Sequence, residues 1–270
     1  MNAELIQSRQ NPKIKFLTGL RKKRDRDQHR CFLIEGSKEL ENYFKSGRKL
    51  QEFFFCPEFL KEKDQPLLDT AQQHSGQQFE LSPHAFEKIS GRESPDGLLG
   101  MAQTYSPTLE DLQLSEQPLL LVLEGTEKPG NLGAILRTAN AFGLDAILCN
   151  DPMVDLFNPN VIRTSRGLLF SMPVIKAQAK ETAAFLQKHN IQTAATVCQG
   201  GTPLWKQDFT QPYAFVMGNE ALGLSEYWQQ QTHHKISIPS PGQADSLNLS
   251  TATSICLYEA LRQRSKDTSQ

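Results

Sequence analysis

The stretch LVLEGTEKPGNLGAILRTANAFG, residues 121–143, decides the fold class. Its opening residues close an unbroken apolar run, PLLLVLEG (118–125), the pattern of a strand covered on both faces. TEKPGNLG then forms a glycine-rich turn with Gly130 and Gly133, and Asn131 is placed to cap the helix that follows. Leu132, Ile135, Leu136 and Ala139 recur at helical spacing as one apolar stripe, which Gly143 ends. A buried strand, a tight turn and an amphipathic helix in that order predict an α/β domain with a parallel sheet.

Two phosphate-binding readings of this turn fail on residue identity. Gly125 and Gly130 have Walker A spacing, but Asn131-Leu132 stands where Lys-Ser/Thr is required. Gly130-x-x-Gly133 supplies only part of a dinucleotide fingerprint, which weakens an NAD-type oxidoreductase reading. Arg137 lies further along the helix, on the polar side of the stripe. Alone it reads as a surface arginine or a site group, as Asn131 reads as a cap or a site group.

Outward from this unit the α/β rhythm continues. AILCN (146–150) is a strand, and NPNVIRTSRG starts a helix carrying Arg163 and Arg166. PVIKA and IQTAATVC are strands flanking KETAAFLQKHN, and PYAFVMGN (212–219) is a strand leading into Gly218-Asn219-Glu220. Open α/β sheets bind ligands beyond the carboxyl ends of their strands, so Glu220 reads as a general acid/base or as a loop anchor. ISIPSPGQADSLNLSTATSICLYEALRQR (236–264) is a strand, a polar loop and a long helix, with Ser246 and Asn248 at the helix start. His233-His234 have no third ligand at a metal spacing, so no metal is expected.

The first hundred residues alternate strands and helices on their own. A helix begins at Asn11-Pro12, CFLIEG is a strand, and SKELENYFKSG is a helix capped by Ser37. LQEFFFCP, GQQFELSP and GLLGMAQ are further strands, and the spacing predicts a small α/β domain with a mostly parallel sheet. His29, His74 and His84 lack partners at a catalytic spacing. YSPTLEDLQLSEQP has no period and is the linker, which divides the chain into residues 1–104, a linker at 105–117 and a second domain at 118–270.

Composition bounds the function. With 270 residues, 38% hydrophobic and 22% charged, the chain reads as a globular protein able to bury two cores. No run of 18 apolar residues exists and the N-terminus lacks a signal-peptide core, so a cytoplasmic protein is expected. Cys31, Cys56, Cys149, Cys198 and Cys256 are scattered and odd in number, and read as buried free thiols in a reducing compartment. Net charge is −1, but nine Lys and Arg lie between Arg9 and Arg30 against Asp25 and Asp27 alone. Such a basic arm, with Lys13, Lys15, Arg21, Lys22, Lys23 and Arg24 as candidate RNA contacts, either meets a phosphate backbone or is a solvated helix face.

Three stretches together resemble the signature motifs of the SpoU (TrmH-like) RNA 2′-O-ribose methyltransferases of the SPOUT superfamily. They are Asn131-x-Gly133-x-x-x-Arg137-Thr138-Ala139-Asn140, Gly218-Asn219-Glu220-x-x-Gly223-Leu224-Ser225, and Ile238-Pro239 followed by Ser246-Leu247-Asn248-Leu249-Ser250. The resemblance covers residues 118 to 264, and residues 9 to 103 look like the ribosomal-protein-like substrate-binding domain of large-subunit-rRNA members. It implies a C-terminal parallel sheet with a deep trefoil knot, an exception to unknotted connections. It also implies S-adenosylmethionine held around Met217, Gly218, Asn219, Ile238, Leu247 and Asn248, and a homodimer with shared sites.

The implied reaction is methylation of a ribose 2′-hydroxyl, in large-subunit rRNA or alternatively tRNA. Arg137 would be the catalytic arginine, with Asn131, Glu220, Ser246 and Asn248 shaping the pocket. An arginine is a poor general base, so Arg137 is expected to grip phosphate and stabilise alkoxide charge. Arg166-Gly167-Leu168, Ser240 and Thr251 depart from the pattern and bear on which RNA is read. A non-catalytic RNA-binding assembly factor of the same fold is the rival; it predicts loss of motif residues that are all present.

Overall fold

A computed structural model describes residues 3–266. In chain order its elements are β1 (Glu4–Ile6), α1 (Pro12–Gly19), α2 (Lys23–His29), β2 (Cys31–Glu35), α3 (Ser37–Lys45) and β3 (Leu50–Phe55). Then come α4 (Gln65–Gln73), β4 (Ser75–Leu81), α5 (Pro83–Ile89), β5 (Leu98–Gln103), β6 (Leu119–Glu124) and α6 (Pro129–Ala141). β7 (Ala146–Asn150), α7 (Pro159–Thr164), β8 (Val174–Ala177), α8 (Ala179–Lys188) and β9 (Gln192–Thr196) follow. Last are β10 (Thr202–Pro203), β11 (Tyr213–Met217), α9 (Glu226–Gln231), β12 (His234–Ser237) and α10 (Leu249–Lys266).

The chain forms two compact units. One contains residues 1–105 together with 155–171; the other contains 106–154 and 172–270. The insertion of 155–171 into the N-terminal unit is not given by a linear division at the linker.

In the N-terminal unit the strands are ordered β1-β4-β3-β5-β2. β1, β4 and β3 pair in parallel, whereas β5 is antiparallel to both β3 and β2. The expectation of a mostly parallel sheet therefore describes strand direction, but β5 makes half of the pairings antiparallel. Side chains alternate across β2: Cys31 and Leu33 join the core with Ile14, Leu17 and Phe86, while Phe32 stacks on Phe157 at 4.3 Å. Ser37 is the first helical residue of α3, and the cap is Gly36 at φ 111°, not the Ser37 side chain. A buried ion pair fixes the inserted segment: Arg26 Nη2 meets Asp155 Oδ2 at 2.7 Å with the two side chains 2% and 9% exposed.

The C-terminal unit carries a wholly parallel seven-stranded sheet in the order β10-β12-β9-β11-β6-β7-β8. β6 and β11 lie side by side at its centre, with all of Leu119–Leu123 and Tyr213–Met217 buried, as an unbroken apolar run requires. The chain proceeds from β6 outward through β7 and β8, then returns to the opposite side of β6. The boundary between β6 and β11 is thus a topological switch point, where such sheets open a crevice beyond their carboxyl ends. α10 packs against α6, with Thr138 Oγ1 and Ser254 Oγ 3.2 Å apart.

Burial pushes the thiols of Cys149 and Cys256 up to about 12, so both are inert. Cys198 is exposed, a correction to the expectation that all five are buried. Among the described residues no helix is long and apolar enough to cross a membrane.

Candidate active site

The three motifs follow the carboxyl ends of β6, β11 and β12, in the loops there or in the helices those loops lead to. After β6 the chain turns at Gly125, whose φ of +61° favours glycine. Pro129 then occupies the first turn of α6 with Lys128 as its cap residue, so the helix starts earlier than expected. Asn131 is inside that turn and caps nothing. Its amide nitrogen instead donates to Glu220 Oε1 at 2.6 Å, and its carbonyl oxygen accepts from Asn248 Nδ2 at 3.2 Å.

Asn248 Nδ2 also reaches Glu220 Oε1 at 2.9 Å, while Asn248 Oδ1 accepts from the N–H and hydroxyl of Ser250 at the head of α10. Lys128 Nζ approaches Glu220 Oε2 at 2.5 Å. Three chain segments, at residues 128–131, 220 and 248, therefore converge on one carboxylate. Lys128 first, then Asn131 and the Leu249 backbone, hold the Glu220 carboxyl below the usual carboxylate range; the same contact raises Lys128 above its ordinary value. A carboxylate so held is ionised and fully engaged, which favours the anchor over the acid/base role.

Asn219 performs the same task for the β6 turn. Its amide donates to the Gly125 carbonyl at 2.8 Å and to Glu127 Oε1 at 2.9 Å, and its oxygen accepts from the N–H of Ala221 and Leu222. Glu124 Oε2 accepts from the Ser225 N–H at 2.7 Å, closing the loop after β11. A Cβ on Gly218 would collide with the backbone of Gly223 and Leu224, so this approach demands glycine.

Beside this cluster lies a cavity of about 610 Å³, lined by the ends of β9, β11 and β12 and by the loop that leads to α10. Met217, Gly218, Asn219, Ile238 and Leu247 line it, as do Glu220 and Ser246. That volume is within the ~300–1,000 Å³ of small-molecule sites. Met217, Ile238 and Leu247 give apolar walls for a flat heterocycle, and Asp245 offers a carboxylate to a cationic group. The residues present thus fit S-adenosylmethionine, which carries an adenine, a sulfonium and an ammonium. A smaller cavity of about 140 Å³ adjoins Lys128, Asn131 and Glu220, and includes the buried Thr126, whose hydroxyl has no hydrogen-bond partner among the described residues.

Arg137 is not in this cluster. It is exposed and lines neither cavity. Six residues past Asn131 on one helix, it is displaced by about 9 Å along the axis and about 120° around it. Among the basic-arm candidates, Lys13 pairs with Glu52, Lys23 with Asp27 and Arg24 with Asp25, while Arg21 donates to the Ile89 carbonyl. Lys15 and Lys22 are exposed. Sequence reading missed Glu127 and Lys128; their charges beside Gly130 were the available signal.

Comparison with known proteins agrees with this geometry. Residues 118–258 match the model of the SpoU rRNA methylase family, and residues 11–100 match the MRM3-like substrate binding domain. An uncharacterized tRNA/rRNA methyltransferase of Synechocystis sp. is 34% identical over 265 residues, covering 96% of this chain and 94% of the relative. A 23S rRNA (guanosine(2553)-2′-O)-methyltransferase of Bacillus subtilis is 28% identical over 253 residues, covering 94% and 97%. The AdoMet-bound rRNA methyltransferase structure from Sinorhizobium meliloti superposes with a TM-score of 0.87 at 27% identity, covering 96% of this chain and 98% of that one.

Proposed function

The chain belongs to the SpoU rRNA methylase family, and on that footing we propose that it methylates a ribose 2′-hydroxyl of large-subunit rRNA. One observation carries the reading: the Asn131–Glu220–Asn248 cluster stands against the cavity whose walls suit S-adenosylmethionine. The cofactor supplies an electrophilic methyl group on a sulfonium. The chain's own residues must then hold the cofactor, align the hydroxyl and accommodate the charge that develops as its proton leaves.

Met217, Ile238 and Leu247 hold the adenine, and glycine at 218 lets the Gly223–Leu224 backbone close against the strand end beside it. Glu220 fixes Asn131 and Asn248 relative to the cavity mouth. Arg137 stabilises phosphate and alkoxide charge from a second copy of the chain, a role consistent with its exposure and its distance from Asn131. The activity therefore requires a homodimer. The deep trefoil knot belongs to the same reading, supported by the return of α10 onto α6 after β12. The buried free thiols Cys31, Cys56, Cys149 and Cys256 favour the cytoplasm.

The test uses methyl-labelled S-adenosylmethionine with unmodified large-subunit rRNA and, separately, bulk tRNA, each digested to nucleosides. Label in one 2′-O-methylated nucleoside of rRNA is the expected result. Label confined to tRNA would overturn the substrate, and label on a base would overturn the chemistry.

A further inference from the structure

Two adjoining clefts in the N-terminal unit, of about 260 and 710 Å³, share Gly91, Arg92 and Arg163 in their walls. Arg21 lines the first and Arg166 the second. Part of the charge here is already engaged. Arg92 meets Glu39 at 2.9 Å, Lys38 meets Glu41 at 2.8 Å, and Glu35 accepts from the Gly91 N–H at 2.7 Å and from the Ser90 hydroxyl.

Three guanidiniums are not neutralised. Among the described residues Arg21 donates only to the Ile89 carbonyl at 2.6 Å, and Arg163 only to the Asn160 side-chain carbonyl at 2.9 Å. Arg166 makes no side-chain hydrogen bond among the described residues. Against them stand two lining carboxylates with no cationic partner among the described residues, Glu35, which accepts only from neutral donors, and Glu93. The balance of the cleft is cationic, in a chain whose net charge is −1.

The backbone holds Arg166 in place at a cost. Its φ is 55°, a left-handed conformation that a non-glycine residue adopts only when its surroundings compel it. Asn42 Nδ2 donates to the Arg166 carbonyl at 2.7 Å, and a Cβ on the next residue, Gly167, would lie 2.8 Å from Glu39 Cα. The turn is therefore clamped onto α3 while its charged side chain is left in solvent. Gly91 lies between two charged groups, since a Cβ there would stand 3.3 Å from Glu35 Oε2 and 3.5 Å from Arg21 Nη2.

We infer that this cleft binds the phosphodiester backbone of the RNA substrate through Arg21, Arg163 and Arg166. The guanidinium fork matches a pair of phosphate oxygens, and a fixed cluster of forks grips a strand without reading its bases. The proposal rests on the rRNA methyltransferase reading and keeps only Arg21 of the basic arm's candidate contacts. Much of the basic arm is self-neutralised, and two of the three arginines come from the inserted segment 155–171.

The experiment measures binding of transcribed, unmodified 23S rRNA across a salt series, with S-adenosylmethionine affinity and thermal stability as controls. Arg163→Gln and Arg166→Gln should each weaken rRNA binding about threefold or more and reduce the salt slope by about one. Arg166→Lys should restore most of that slope. Cofactor affinity should not change. Wild-type binding that both variants retain, with Lys15→Gln and Lys22→Gln weakening it instead, would overturn the cleft and keep the enzyme reading. No binding by the wild-type chain would overturn both.

Discussion

At the residue scale the site is an arrangement of amides around one carboxylate, and the roles separate by exposure. Glu220 spends both oxygens on Lys128, Asn131 and Asn248, whereas Arg137 is exposed and free to meet a substrate. Replacing Arg137 by alanine should lower kcat by about 10²–10³, the typical loss of one charge-stabilising donor. Cofactor affinity and melting temperature should stay at wild-type values, because no packing is removed; a fall in both would reassign Arg137 to structure. Glu220 gives a pH prediction. Its folded pKa lies below the unfolded value of about 4.3, so its contribution is present above that value and lost as pH falls through the folded one. Lys128 is raised, so its contribution is present below about 10.4 and lost above its folded value. Neither titrates near neutrality. The pH–rate profile between pH 6 and 9 should keep its shape in Glu220→Gln, even if its height falls; loss of a limb would make Glu220 the base.

At the element scale, strand-end loops were legible in the sequence and helix starts were not. Gly218-Asn219-Glu220 announces a ligand-side loop because an apolar run stops there. Asn131 looks like a cap, yet Pro129 fits the first turn better and moves the start of α6 upstream, which frees the Asn131 amide for the site. β1 has only three residues and no alternation to reveal it. The inserted segment was equally hidden, since nothing local marks 155–171 as packing with another unit. Its hold is the Arg26–Asp155 pair, which Arg26 completes by donating to the Leu20 and Arg21 carbonyls at 2.8 and 2.7 Å. Asp155→Ala strands a buried guanidinium and should cost about 3–5 kcal/mol in chemical denaturation. The double variant Arg26→Met/Asp155→Leu should recover much of that loss; failure to recover would mean that the carbonyl contacts, not the pair, hold the segment.

At the scale of the whole molecule, one chain assembles a cofactor cavity and an amide cluster but leaves the arginine proposed to be catalytic elsewhere. The sequence showed the motif residues but not that they divide between two places, because linear order cannot show which way a helix face points. Arg137 and Asn131 share α6 and still face different directions, and on the proposed reading a complete site takes Arg137 from a second copy. Mixed dimers test this directly. A protomer with Arg137→Ala keeps a sound cavity, and a protomer with Asn131→Ala keeps a sound arginine. Each homodimer should be nearly inactive. If arginine is donated across the dimer, co-purified heterodimers contain one site with both groups intact, and activity should return to about half of wild type. If Arg137 serves its own chain, both sites of the heterodimer lack one group and the mixture stays inactive. Differently tagged protomers separated in two steps make the comparison free of homodimers, and cofactor binding to each preparation reports that the cavities have survived.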